Sequence, residues 1–413
     1  MDAPLFAAAL SIDPSSARAE QQVVEAVRAR LAGASPDLVL VFATHHHGSA
    51  LEELGPRLAR ALQARALAGC TGESIVGGDR EVEHQPALAL WAAVLPRTRV
   101  EVFRARAEQR SDETFAFEGL PAIGDIARAS LLVLGEPYSF PMDAWLQHLE
   151  REAPGLQVIG GMASGGMGPG QNLLISHEGL HEEGVLGALI EGEVEIRSVV
   201  SQGCRPVGRP WVITACRENL IEKLGGRPAL DVLMQALAEM PAPDQHAFRH
   251  APFVGLAIDA TKQVFERGDF LVRGVLGLSE GERAFAVAEQ VRRGQTLQFL
   301  VRDAASAGED LRLLMRKHGS GGAGALLFSC NGRGTRMFDC PNHDASRVIE
   351  GLAPGVPLAG FFAAGEVGPV GGRNFLHGFT ASVAIFRQRE RRAAADAGEA
   401  VGSRAPRSSP PLP

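Results

Sequence analysis

A chain of 413 residues, 45% hydrophobic and 22% charged, can bury a large core and is too long for one ordinary domain, so two domains are expected. Its net charge of −7 argues against a nucleic-acid partner or an anionic membrane surface, and Gly, Pro or a charge interrupts every apolar stretch before the roughly 18 residues of a membrane helix. Five cysteines without C-x-x-C or zinc-finger spacing, Cys70, Cys204, Cys216, Cys330 and Cys340, point to a reducing cytoplasm.

The small apolar block at 5–10 lacks a preceding positive region, so it reads as a first strand and not as a signal peptide. A first module follows: a buried strand at 38–42 (LVLVF), a helix with Leu54, Leu58, Leu62 and Ala66 at helical spacing, a short strand at 67–68, a glycine-rich loop at 69–78 (GCTGESIVGG), and a return strand at 88–95. A second module repeats the order with LLVL at 131–134, the helix MDAWLQHLEREA, a strand at 157–159, the loop 160–170 (GGMASGGMGPG) and a return segment over 185–200. After it come a strand at 211–216, a helix at 229–238 opened by Pro228, and a polar, proline-containing connector at 241–250. Strands at 253–258, 270–277 and 296–302 and a helix at 304–317 lead to the glycine linker 319–324. The third module has ALLF at 325–328, a helix at 343–350, a strand at 357–359, the loop 360–372 (GFFAAGEVGPVGG) and a return strand at 379–386.

Alternating strands and helices predict an α/β fold of α+β character, with mixed sheets, helices on their faces, and two related domains built on the repeated module. Each glycine loop is expected where a buried strand hands the backbone to solvent, allowing main chain to approach a ligand closely. The basic run at 387–392 reads as a solvated face, and the chain from 391 to 413 is too poor in large apolar groups to order.

The stretches LVLVFATHH, GCTGESIVGG, VIGGMASGG, WVITACRENLIEKLGGRPALDVL, FSCNGRG and LAGFFAAGEVGPVGG, followed by FLHGFTASVAIF, resemble the FIST family over nearly the whole chain. The resemblance implies an N-terminal FIST domain over 1–227, a C-terminal one over 228–390, and a tail at 391–413. It also implies a bacterial signal-transduction protein related to the FIST region of F-box proteins, sensing small molecules such as amino acids or related metabolites. No fused kinase, cyclase, chemotaxis or F-box segment is evident, so output would pass through a separate signalling protein or the chain would act alone.

The segment 319–324 matches G-x-G-x-x-G but precedes a strand instead of joining a strand to a helix, and no P-loop or G-x-S-x-G elbow occurs. No cofactor is expected. Of His45, His46 and His47, at most two can converge on an extended chain, so no metal is expected either. The candidate ligand-binding residues are Cys70, Thr71, Glu73, Gly160, Gly161, Ser164, Cys330, Asn331, Arg333, Gly365 and Glu366. Glu73 and Glu366 read as equivalent loop carboxylates for a ligand's ammonium, with Arg333 for its carboxylate; the expected site is one cleft between the domains. The alternative is a cysteine-dependent hydrolase or transferase using Cys70 or Cys330, with His377 or His45 as base and loop amides as an oxyanion site.

Overall fold

The computed structural model describes residues 3–389 apart from 112–113, 260–261, 263 and 266–267. The tail expected from 391 onward lies outside the described residues. The mixed sheets and helices of the predicted α/β class are present, and no helix among the described residues is long and apolar enough to cross a membrane.

Each module places two parallel strands at the heart of one sheet, joined through a helix: Leu38–Ala43 with Leu67–Thr71, Ala129–Gly135 with Gln157–Met162, and Gly324–Cys330 with Leu358–Ala363. The apolar runs are continuous because both faces are covered. Leu38, Leu40 and Phe42 join Leu132, Leu134, Leu326 and Phe328 in a core shared by all three sheets. The alternate residues Val39 and Val41 pack outward with Val23, Val27 and Leu58 of the helices Ser16–Arg30 and Leu54–Leu62. Trp145 and Leu149 cover the second sheet in the same way, and Leu311 and Val348 cover the third.

The registers coincide among modules. Val41 stands opposite Gly69, Val133 opposite Gly160, and Leu327 opposite Gly360. At each glycine an added Cβ would lie within 1.8–2.1 Å of the facing carbonyl oxygen. These three glycines are therefore required by strand approach.

The glycine-rich segments do not open into solvent as expected. Each continues into a hairpin that joins another module's sheet. The hairpin of Ile75–Gly77 and Arg80–Val82 pairs with Leu358–Ala363 of the third module. That of Leu174–Ser176 and Gly179–His181 pairs with Leu67–Thr71 of the first, and that of Glu366–Val370 and Arg373–His377 pairs with Gln157–Met162 of the second. The exchange is cyclic and satisfies a sheet edge in every module. The return segment over 185–200 is two strands, Val185–Gly192 and Val194–Gln202, which join different sheets. At Gly192 an added Cβ would meet the Arg97 carbonyl oxygen at 2.5 Å, so the chain turns where only glycine fits.

Between the second and third modules, residues 204–302 form a separate sheet. Cys204–Arg217 pairs with both Thr296–Arg302 and Leu220–Leu224, closing the strands into a ring around Ile213, Val254, Phe285 and Phe299. The connector expected at 241–250 is instead the helix Ala242–His250. Its proline sits in the first turn, where the missing N–H costs no hydrogen bond, and Phe248 anchors the helix in the core.

Candidate functional site

The ends of the three central strand pairs meet at one junction, where backbone bonds tie the modules together. Ser164 N donates to Thr71 O at 3.1 Å, Phe362 N to Ser74 O at 2.9 Å, and Met162 N to Gly365 O at 2.8 Å. The buried Ser164 hydroxyl joins all three modules: it accepts from Glu73 N at 2.9 Å and donates to Phe362 O.

Beside this junction lies a cavity of about 500 Å³. Its wall comprises Thr44, His45 and His46 at the end of the first buried strand, Gly72 and Glu73 from the loop, His84 from the segment after the exchanged hairpin, and Gly165 from the second module. Thr44 is fixed by accepting from Ala87 N at 3.0 Å, and His45 Nε2 lies 3.2 Å from Ser164 O. Glu73 holds a two-point ion pair with Arg336 of the third module, in which Nη1 stands 3.1 Å from Oε2. Arg336 Nη1 also donates to Asn331 O at 2.8 Å. The cavity thus presents imidazoles and a paired carboxylate. No group of three or more His, Cys, Asp or Glu side chains among the described residues is placed to hold a metal ion.

Glu366 and Glu73 are not equivalent positions. By strand register Glu366 corresponds to Ile75, since each is the residue opposite the position after the close-approach glycine. Glu366 is completely buried; its Oε2 accepts from Thr380 N at 3.0 Å and Thr380 Oγ1 at 2.8 Å, while Oε1 has no protein partner. Arg333 is not the free cation expected. It is also completely buried, with Nε 2.6 Å and Nη2 2.8 Å from the Asp344 carboxylate, and only Nη1 lacks a partner.

Cys330 lies against Glu366 in this cluster, and burial pushes its thiol far up, with the Glu366 carboxyl adding to the effect. Cys70 belongs to the shared core, where burial likewise raises its thiol well above the ordinary value. His377 is pushed down to about 4 by burial, and its neutral ring bonds through Nε2 to Gly368 O at 2.9 Å. Thr71 Oγ1 accepts from Leu173 N at 3.0 Å, and Gly160 and Gly161 are strand positions facing the exchanged hairpin. Of the residues singled out from sequence, Glu73 therefore lines the cavity and Thr71, Ser164 and Gly365 build its support. Cys330, Arg333 and Glu366 form a neighbouring buried cluster, which Arg336 reaches through Asn331.

Burial raises the Glu366 carboxyl to about 8, against the opposing Thr380 hydrogen bonds. The folded protein keeps a proton that the unfolded chain releases above about 4.5, so this group lowers stability as pH rises from 4.5 to 8, by on the order of 3 kcal/mol at pH 7. Glu366→Gln, which resembles the protonated acid, is expected to raise the urea midpoint at pH 7 to 8 and leave it nearly unchanged at pH 4.5. An equal shift at both pH values would contradict this assignment.

The FIST N domain model matches residues 37–227, and the FIST C domain model matches residues 229–369. The chain belongs to the FIST family. FIST domains are generally sensory domains of signal transduction. This FIST protein is 38% identical over 387 residues to the uncharacterized protein Rv0628c of Mycobacterium tuberculosis, covering 91% of the present chain and 98% of the relative. It is 39% identical over 382 residues to the uncharacterized protein Mb0898c of Mycobacterium bovis, covering 89% and 96% respectively. Within the FIST N match lie the cavity residues Thr44 to Glu73, His84 and Gly165; Arg336 comes from the FIST C match. Sequence reasoning passed over Arg336 and His84 because neither stands in a glycine loop, and only the exchanged hairpins and the turn after Cys330 bring them to the junction.

Proposed function

We propose that this FIST protein is a small-molecule sensor whose ligand occupies the cavity at the three-module junction, with amino acids and related metabolites as the ligand class. The supporting observation is the convergence of Glu73, the imidazoles of His45, His46 and His84, and the Ser164 tie on one concave site. An ammonium group has a carboxylate to pair with at Glu73, and a carboxylate group finds imidazoles in the same wall. Because the site draws on separate modules, a ligand with unequal affinity for two arrangements of the loops shifts their balance. The free cysteines fit a reducing cytoplasm, and a separate signalling protein would read the shift.

The buried, upshifted thiols of Cys70 and Cys330 disfavour the cysteine-enzyme reading, since the thiolate is the reactive form. A thermal-shift screen with amino acids and metabolites, followed by mass analysis of the recovered compound, tests the proposal. A stabilising compound recovered unchanged supports a sensor. Turnover abolished by Cys330→Ala would replace that reading with an enzyme.

A further inference from the structure

The Glu73 carboxylate, the cavity's acidic group, is already engaged from outside the cavity. Arg336 reaches it from the short turn Gly334–Arg336 of the third module, and the pair is about half exposed on the arginine side and a quarter exposed on the glutamate side. An ion pair with that access to water has a modest net value, because solvent competes for both charges. The turn has a second attachment that does not involve the cavity: Thr335 donates to Glu83 through its N at 3.1 Å and its hydroxyl at 2.7 Å. The Arg336 contact can therefore be exchanged without releasing the turn.

We infer that Arg336 is the specificity-determining residue of this site: it is a displaceable internal cation on Glu73, and the ligand carries an ammonium or guanidinium group that takes its place. This rests on the proposed cavity reading and extends it to the ligand's charge. A ligand lacking a cation leaves the Arg336–Glu73 pair intact and gains nothing from the carboxylate. A cationic ligand must compete with Arg336, which lowers its apparent affinity and links binding to the third module. Displacement frees Arg336 from Glu73 while its neighbour Arg333 remains fixed on Asp344, so the change is confined to the exposed half of the turn.

The test uses the full chain and two defined probes, L-arginine and N-acetyl-L-citrulline, which keeps the carboxylate and the stem but carries no cation, titrated by calorimetry into wild type, Arg336→Met, and Arg336→Met combined with Glu73→Gln. Methionine keeps much of the stem and drops the charge. Arg336→Met is expected to bind L-arginine at least tenfold more tightly than wild type, with no change for the cation-free N-acetyl-L-citrulline, and Glu73→Gln should abolish the gain. Equal or weaker L-arginine binding in Arg336→Met overturns the exchange, as does a gain that survives without Glu73. General weakening of both probes would instead make Arg336 a contact for the ligand's carboxylate. If no amino acid or metabolite stabilises the wild type while the Glu73-dependent gain is present, the sensor reading fails and the exchange stands. If wild type binds such ligands and Arg336→Met changes nothing, only the exchange fails.

Discussion

Arg333→Met is expected to destabilise the fold by about 3–5 kcal/mol, because it leaves the Asp344 carboxylate buried without its cation. Both side chains are wholly inaccessible, and the carboxylate also accepts from Ser329 Oγ at 2.7 Å and contacts His343 Nδ1 at 3.0 Å. Burial pushes the Asp344 carboxyl up, but the Arg333 charge and these hydrogen bonds outweigh it and hold the group well below the usual carboxylate range. Its contribution is present above the unfolded value of 3.8 and is lost only as pH falls toward the depressed folded value. Without Arg333, burial dominates and the folded carboxyl shifts upward, so the penalty grows as pH rises above about 4. Urea unfolding at pH 4.5 and 7.5 should therefore show a gap between wild type and variant that widens at the higher pH. Adding Asp344→Leu should recover a large part of the loss, since a well-packed apolar pair avoids the buried charge. A pH-independent gap would contradict the assignment of the loss to an unpaired carboxylate.

Gly160→Ala is expected to cost about 3–5 kcal/mol and to yield largely insoluble protein. The new methyl carbon would stand 1.8 Å from the Val133 carbonyl oxygen and 2.8 Å from its carbon; both atoms are main chain in the paired strand and cannot swing aside. Separation of the strands would also disturb the exchanged hairpin, because Gly160 pairs with Val367 on its other side. Gly155→Ala is the control. Gly155 has a φ of +83° but no atom within 4 Å of an added Cβ, so only the backbone preference is lost, about 1–2 kcal/mol. Chemical denaturation of the two variants, or soluble yield where Gly160→Ala cannot be purified, separates a steric demand from a conformational one. Similar losses at both positions would remove the argument for close strand approach.

The three buried strand pairs were legible because both faces of each run are apolar: Leu38, Leu40 and Phe42 turn to the shared core while Val39 and Val41 meet helices. The helix Ser16–Arg30 was not anticipated, since Ala19, Val23 and Val27 make a narrow apolar stripe of small and β-branched residues among many charges. The hairpin exchange was illegible for a different reason. Ile75–Gly77 and Leu174–Ser176 are three-residue strands whose partners lie far along the chain, and no local pattern specifies such pairing. Polarity inside a glycine loop singled out Glu73 and Ser164 as candidate ligand-binding residues, and the fold brings both to the junction. It could not separate the partly exposed Glu73 from the buried Glu366, because the difference arises when Glu366 enters the second module's sheet.

The proposed small molecule binds at the Glu73 side of the three-module junction. Calorimetric titration of a compound selected by the thermal-shift screen, into wild type and Glu73→Gln, addresses it most directly. Binding to Glu73→Gln is expected to be at least tenfold weaker, about 1.4 kcal/mol or more, with the unliganded melting temperature nearly unchanged. Unchanged affinity in a folded Glu73→Gln protein would place the ligand away from Glu73 and overturn the proposed site.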